Sequence, residues 1–264
     1  MGRSSYVVMN DRTWNGRVPL PSIDDSLATK LLPFVLSLTA GSLDIIGFLG
    51  LGGLFTAHIT GNIMVLAAKL VGGEQAPITY IISVPVFMSV LVLTRLLAAG
   101  LERLQVASLL PLLSLQLILL STFFVICLAA GARTDPHTAK MIFAGMLGVS
   151  AMAVQNALVR LSLRGAPSSA VMTTNVTLFT IDVGEMLLGR NASATEKARD
   201  RARRTWPAIA GFLLGCALGA ACEAAIGLRS LMIPAGFALL ALALGAVGLW
   251  VSYPNGDRCA EHQI

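Results

Sequence analysis

Residues 31–51 read LLPFVLSLTAGSLDIIGFLGL, an apolar run whose one ionisable side chain is Asp44. A helix needs roughly 20 apolar residues to cross about 30 Å of hydrocarbon, and this run is long enough. The same run therefore sets the fold class and raises the first chemical question. A carboxylate at mid-bilayer is expensive unless it is neutral, paired or hydrated.

The rest of the chain agrees with its first apolar run. Of 264 residues, 55% are hydrophobic and 12% charged, with mean hydropathy +0.76. Soluble domains carry roughly 25% charged residues. Seven more apolar segments follow, at about 55–72, 78–99, 108–130, 140–160, 169–189, 207–227 and 231–252. The expectation is an all-α polytopic transmembrane helix bundle of eight spans, or six or seven if a weak segment fails to cross. The weakest is 55–72, which is short and carries Thr56, His58, Thr60 and Asn62. Residues 1–30 and 253–264 read as polar tails. The first apolar run begins only at Leu31, so the amino terminus lacks signal-peptide character and the first helix serves as an uncleaved insertion signal.

Loop charge orients the bundle. With eight crossings, 14 of the 19 Lys and Arg residues fall on the amino-terminal side. The other 5 are Arg95, Arg103, Arg160, Arg164 and Arg229. Cytoplasmic loops hold the excess of basic residues, so both termini are expected in the cytoplasm, and an even number of spans keeps the asymmetry. The net charge of +5 then reports topology and lipid contact rather than nucleic acid. No His/Cys cluster has metal-ligand spacing, and no phosphate loop, GxSxG, HExxH or dinucleotide fingerprint occurs, so neither cofactor, metal nor enzyme chemistry is expected.

The chain also reads as built twice, as halves of about 31–130 and 140–252. Pro77 and Pro207 precede the third and seventh segments, and Pro111 and Pro234 stand early in the fourth and eighth. Proline suits a first helical turn because its missing N–H would be unpaired there. The starts of segments two and six align in two registers. One pairs Ala57, Thr60 and Asn62 with Ala170, Thr173 and Asn175. The other pairs Thr56, Ile59 and Thr60 with Thr173, Val176 and Thr177. Halves of four spans each would share one orientation, giving a parallel repeat.

The polar residues inside these runs are the site candidates. Asp44 is a proton carrier, a cation ligand or a structural partner for His58 or Asn156. His58 titrates near neutrality and with Asp44 makes a proton relay. Thr56, Thr60, Gly61 and Asn62 form a polar helix start, whose free N–H groups and positive dipole end suit a polar or anionic solute. Helix–helix hydrogen bonding explains the same residues without a solute. Gln155 and Asn156 stand where the Asp44 position recurs, without its charge, and Thr173 and Thr177 repeat the threonines of segment two. Asp182 and Glu185 share a helix face near Arg190, read as a solvated end, and Glu223 is within reach of Arg229 as a structural pair. Gly211, Gly215 and Gly219 form a double GxxxG, a close-packing stripe inside the bundle or between protomers.

Taken together, Ala40-Gly41 with Asp44, Phe48, Leu51-Gly52 and the run from Phe55 to Asn62 resemble the YoaK-like bacterial membrane proteins, a family of uncharacterised multi-span proteins. Gln155-Asn156-Ala157 and Thr173-Thr174-Asn175-Val176-Thr177 resemble its second-half signature, with Leu178 where the family pattern often has Gly. The resemblance covers about residues 31–252. It implies a bacterial inner-membrane location and favours the register pairing Thr60 with Thr177, but it brings no substrate. The expected function is a small-molecule or ion permease, proton-coupled through Asp44. Its site would lie between the first, second, fifth and sixth segments, and the lipid bilayer, a small polar solute or protons and a second copy of the chain would be its partners. The alternative is a non-transporting assembly or stress factor.

Overall fold

A computed structural model describes residues 27–73, 78–131, 134–163, 166–167, 172–189 and 191–252. The described elements are all helical: α1 Leu27–Gly50, α2 Ile59–Val71, α3 Ile78–Arg103, α4 Leu109–Ala130, α5 Ala139–Ser162, α6 Met172–Leu188, α7 Ala192–Ile226, a 3-10 turn Gly227–Leu231 and α8 Met232–Ser252. Five helical stretches are long and apolar enough to cross a membrane: Leu31–Gly50, Ile78–Arg103, Leu109–Ala130, Ala139–Ser162 and Ala192–Leu249. Residues 27–30 of the expected amino-terminal tail belong to α1; the rest of both tails lies outside the described residues.

Eight spans are not supported. α2 has 13 residues, which at 1.5 Å each is about 20 Å, short of about 30 Å of hydrocarbon. α6 has 17. α7 begins at Ala192, so Pro207 lies inside it rather than before it. The tertiary contacts give the directions of the others. The Gln155 side chain donates to the Leu36 carbonyl at 2.9 Å, while Gly145 faces Leu51 and Leu54, so α1 and α5 run antiparallel. The hydroxyls of Ser108 and Ser162 meet at 3.0 Å, joining the start of α4 to the end of α5. Tyr80, at the start of α3, donates to the carbonyl of Gly52, just past the end of α1. Gly245 of α8 faces Leu109, Leu110 and Leu113 at the start of α4. Leu231, before α8, packs in one cluster with Leu120 and Cys127 towards the end of α4. Helices α1, α4 and α7 therefore point one way and α3, α5 and α8 the other. The fifth apolar stretch reverses at Gly227, whose φ is +62°.

The helices of the two halves follow one pattern of neighbours, with directions reversed. α1 packs on α7 and α8, and α5 packs on α3 and α4. α2 lies on α3 as α6 lies on α7, and α4 meets α8 as α1 meets α5. Exchanging α1–α4 with α5–α8 maps α1–α7 and α1–α8 onto α5–α3 and α5–α4, α2–α3 onto α6–α7, and α1–α5 and α4–α8 onto themselves. Because α1 and α5 are antiparallel, the two halves lie in opposite orientations, not in the shared one expected. Three long helices per half, not four, cause the inversion. Asn62 of α2 and Asn175 of α6, which the first of the two sequence registers pairs, are both buried.

The tightest helix pair is α1 with α7. A Cβ on Gly215 would come within 2.5 Å of the Leu38 carbonyl oxygen, and one on Gly219 within 2.8 Å of that of Ser42. Gly211 meets the Phe34 carbonyl in the same way. The stripe of Gly211, Gly215 and Gly219 is thus spent within the chain, against α1, where backbones in van der Waals contact supply the packing that lipid-embedded helices rely on.

Candidate functional site

α1 ends in a glycine turn. The Gly53 N–H returns to the Phe48 carbonyl at 2.9 Å and Gly52 has φ +67°, the six-to-one bond and left-handed residue of a Schellman cap. The chain then doubles back as a non-helical segment, residues 51–58, along the last two turns of α1. Gly47 of α1 and Gly148 of α5 line its slot: the Thr56 methyl lies 3.2 Å from where a Cβ on either would stand. A side chain at either position would close the slot.

This segment exposes backbone N–H groups to the bundle interior, where no helix satisfies them. Asp44 does. Its Oδ1 accepts the N–H of Thr56 at 2.7 Å, that of Ala57 at 2.8 Å and the Thr56 hydroxyl at 3.3 Å. Its Oδ2 faces His58 Nδ1 at 2.5 Å. The carboxylate is 4% exposed. An ionised acceptor roughly doubles the strength of such bonds, and the positive end of α2, which starts at Ile59, adds to them. A carboxylate with four donors is therefore tolerable at a depth where a bare one is not.

His58 is the outward side of the pair. Its side chain is 34% exposed, and its ring meets Phe55 and Phe212 edge-on, at centroid distances of 6.4 and 5.4 Å. With Nδ1 committed to Asp44, Nε2 is the atom left to exchange a proton with the surroundings. Asn62, one turn into α2, clamps the segment from the other side. Its Oδ1 accepts the Phe55 N–H at 2.8 Å, and its Nδ2 donates to the Phe55 carbonyl at 2.8 Å and to Ser83 Oγ of α3 at 3.1 Å. Asp44 on α1 and Ser83 on α3 are thus tied through one irregular segment.

Of the candidates read from sequence, Asp44, Thr56, His58 and Asn62 come together here. The others do not. Thr60 is exposed, as are Thr173 and Thr177, and the Thr177 hydroxyl bonds within α6 to the Thr173 carbonyl. Gln155 sits lower in the bundle, between the Leu36 carbonyl and Gln116 of α4, whose Nε2 donates to it at 2.7 Å. Asn156 donates to the Met152 carbonyl of its own helix at 2.9 Å, and not to Asp44. Asp182 is not solvated: it is 3% exposed and takes two donors from Arg201. Glu223 accepts from the Ser230 hydroxyl at 2.7 Å, and no ion pair with Arg229 occurs among the described residues. Sequence reasoning missed Ser83, Gln116, Tyr80 and Phe212. The first two carry a signal, a lone polar residue inside an apolar run. The two aromatics do not, since apolar runs are full of such rings.

No group of three or more His, Cys, Asp or Glu residues capable of holding a metal occurs among the described residues. A family model described as a protein of unknown function (DUF1275) matches residues 32–244. No curated protein and no solved structure matches the chain.

Proposed function

The chain belongs to the DUF1275 family, the YoaK-like family it resembles, whose description carries no activity, and from its geometry we propose that it is a small membrane permease. The observation that carries this is the inverted repeat with an interrupted segment at its buried carboxylate. Secondary transporters are commonly built from such repeats, with their sites at breaks in helices near the bilayer midplane. Asp44 and His58 are the ionisable pair, and Thr56 and Asn62 hold the segment against them. Proton exchange through His58 Nε2 couples the pair to the solute. The reading assigns no catalytic step and no cofactor.

The bundle crosses six times in this reading, with α2 and α6 as non-crossing helices. Lys69, Arg133, Lys140 and Arg229 then fall on the far side, leaving 15 of the 19 basic residues on the side of the termini. That asymmetry is sharper than with eight crossings, and it supports a cytoplasmic amino terminus in a bacterial inner membrane.

One observation favours the alternative, a membrane protein that transports nothing. Asp44 is packed and fully bonded, as a purely structural clamp would be. Proteoliposomes loaded with a pH-sensitive dye separate the two readings. A permease shows solute-dependent proton flux that Asp44→Asn abolishes while the variant still inserts and folds. No flux across a panel of polar solutes, with Asp44→Asn altering stability alone, favours the clamp.

A further inference from the structure

α7 is 35 residues long, whereas its repeat counterpart α3 has 26. The fold repeat does not require the additional turns, which begin at Ala192 and form a hairpin with α6. Along residues 192–204 of α7, Lys197, Arg199, Arg203 and Arg204 are all exposed, and no ion pair to any of the four occurs among the described residues. The fifth cation there, Arg201, is used to lock the hairpin: its Nε and Nη2 both donate to Asp182 of α6, at 3.0 and 2.5 Å. α6 meanwhile leaves Val176, Leu178, Ile181 and Leu187 exposed. Exposed Trp206 lies against Phe179 of α6 with ring centroids 5.7 Å apart. The hairpin is thus one layer with an apolar helix and a cationic helix.

Its height follows from the α1–α7 contact. Gly211 is level with Phe34, three residues inside the start of the apolar run at Leu31. Counting 1.5 Å per residue, Arg204 stands about 6 Å outside that start and Lys197 about 16 Å, which puts the arginines nearest the bundle at headgroup depth. A helix that pairs an apolar surface with Lys and Arg suits the bilayer interface, and basic clusters just outside a spanning helix attract anionic lipid.

We propose that the α6–α7 hairpin is a binding surface for anionic lipid headgroups. Arg199, Arg203 and Arg204 take the phosphates and Lys197 adds charge, while Trp206 and the α6 side chains Val176 and Leu178, at or beyond its level, enter the acyl boundary. A second copy of the chain would also cover α6, but residues 192–206 carry five basic against two acidic side chains, Glu196 and Asp200, so a two-fold contact would bring two net-positive helix starts together. The inference rests on the membrane reading and is independent of transport.

The full chain tests it, with Trp14→Phe and Trp250→Phe leaving Trp206 as the one fluorophore. It is reconstituted in phosphatidylcholine vesicles holding a minor fraction of phosphatidylglycerol, with brominated acyl chains on one lipid or the other. At equal mole fraction of brominated lipid, brominated phosphatidylglycerol should quench Trp206 several-fold more than brominated phosphatidylcholine, and added salt should erase the excess. Replacing Lys197, Arg199, Arg203 and Arg204 by Gln should abolish it. The charge-conserving set Arg199→Lys, Arg203→Lys, Arg204→Lys should keep it, which guards against a folding artefact. Equal quenching by both lipids in the otherwise unmodified protein would overturn the proposal. So would an excess untouched by salt, or hairpin-to-hairpin cross-linking between copies without lipid preference.

Discussion

The side chain of Gln155 donates to the backbone carbonyl of Leu36 across 119 positions of sequence, and this bond fixes how the halves of the chain face each other. It sets the later part of α5 beside the earlier part of α1, and with Gly145 facing Leu51 and Leu54 it shows that α5 runs against α1. From there the directions of α3, α4, α7 and α8 follow by packing, and α2 and α6 are left as helices that do not need to cross.

Topology is the most direct test of that arrangement. In a background with the four cysteines replaced, Glu102→Cys and Glu196→Cys should react with an impermeant thiol reagent from the same side of the membrane, and His137→Cys from the other. An eight-crossing chain places Glu102 opposite Glu196 and His137 beside it, so one labelling series decides.

Asp44 should matter for stability whatever the chain transports. Asp44→Asn keeps the shape but loses the charge that strengthens its bonds to Thr56, Ala57 and His58, at about 1.5–3 kcal/mol for bonds to a charged group. Asp44→Ala strands two buried N–H groups, each costing about 1–3 kcal/mol. Thermal unfolding in detergent should therefore rank wild type above Asp44→Asn above Asp44→Ala. Equal midpoints for the three would mean that the clamp contributes nothing.

The glycine stripe predicts opposite signs at two glycines. Gly215→Ala puts a methyl within 2.5 Å of a backbone oxygen, which cannot rotate away, and overpacking of this kind costs about 1–3 kcal/mol. Gly184→Ala on α6 meets nothing within 4 Å and should be neutral or stabilising by up to about 1 kcal/mol, from helix propensity. Unfolding midpoints of the two variants give the comparison, and a harmless Gly215→Ala would contradict the close α1–α7 contact.

The hairpin pair Asp182–Arg201 suits a double-mutant cycle. Arg201→Gln leaves a buried carboxylate without its donors, and breaking such a pair from one side is costly. Asp182→Asn with Arg201→Gln removes the stranded charge and should recover part of the loss. Limited proteolysis near Asn191, at the hairpin turn, reports it: cleavage should be fastest in Arg201→Gln, with the double variant intermediate. A double variant cut faster than Arg201→Gln would show that the pair is not coupled.

Several features of the site were legible residue by residue. Asp44 stood out because a carboxylate in an apolar run has few cheap explanations, and His58 because an imidazole in the next apolar segment can relay a proton. The weakness of segment 55–72 was legible too, as a polar, glycine-containing interruption. Its cause was not: the polarity belongs to a non-helical segment whose N–H groups need Asp44 and Asn62. Thr60, Thr173 and Thr177 misled because a threonine on an exposed helix face satisfies its hydroxyl on its own backbone, as Thr177 does, and sequence does not distinguish that from a solute ligand. Asp182 misled in the other direction. Its partner Arg201 lies across a turn, 19 residues on, and only the hairpin brings them together.

By itself the sequence determined the helical class, the places where apolar runs begin and end, the glycine stripe and the one carboxylate in the first span, because length, hydropathy and spacing are properties of neighbouring residues. The tertiary structure alone decided that α2 is a 13-residue helix behind a non-helical segment, that the two halves lie in opposite orientations, and that α7 starts at Ala192 in a basic hairpin. Those depend on which backbones meet. Gln155 with Leu36, Tyr80 with Gly52 and Asp44 with Thr56 are meetings between distant or turned-back segments, and no local pattern encodes the direction from which a partner arrives.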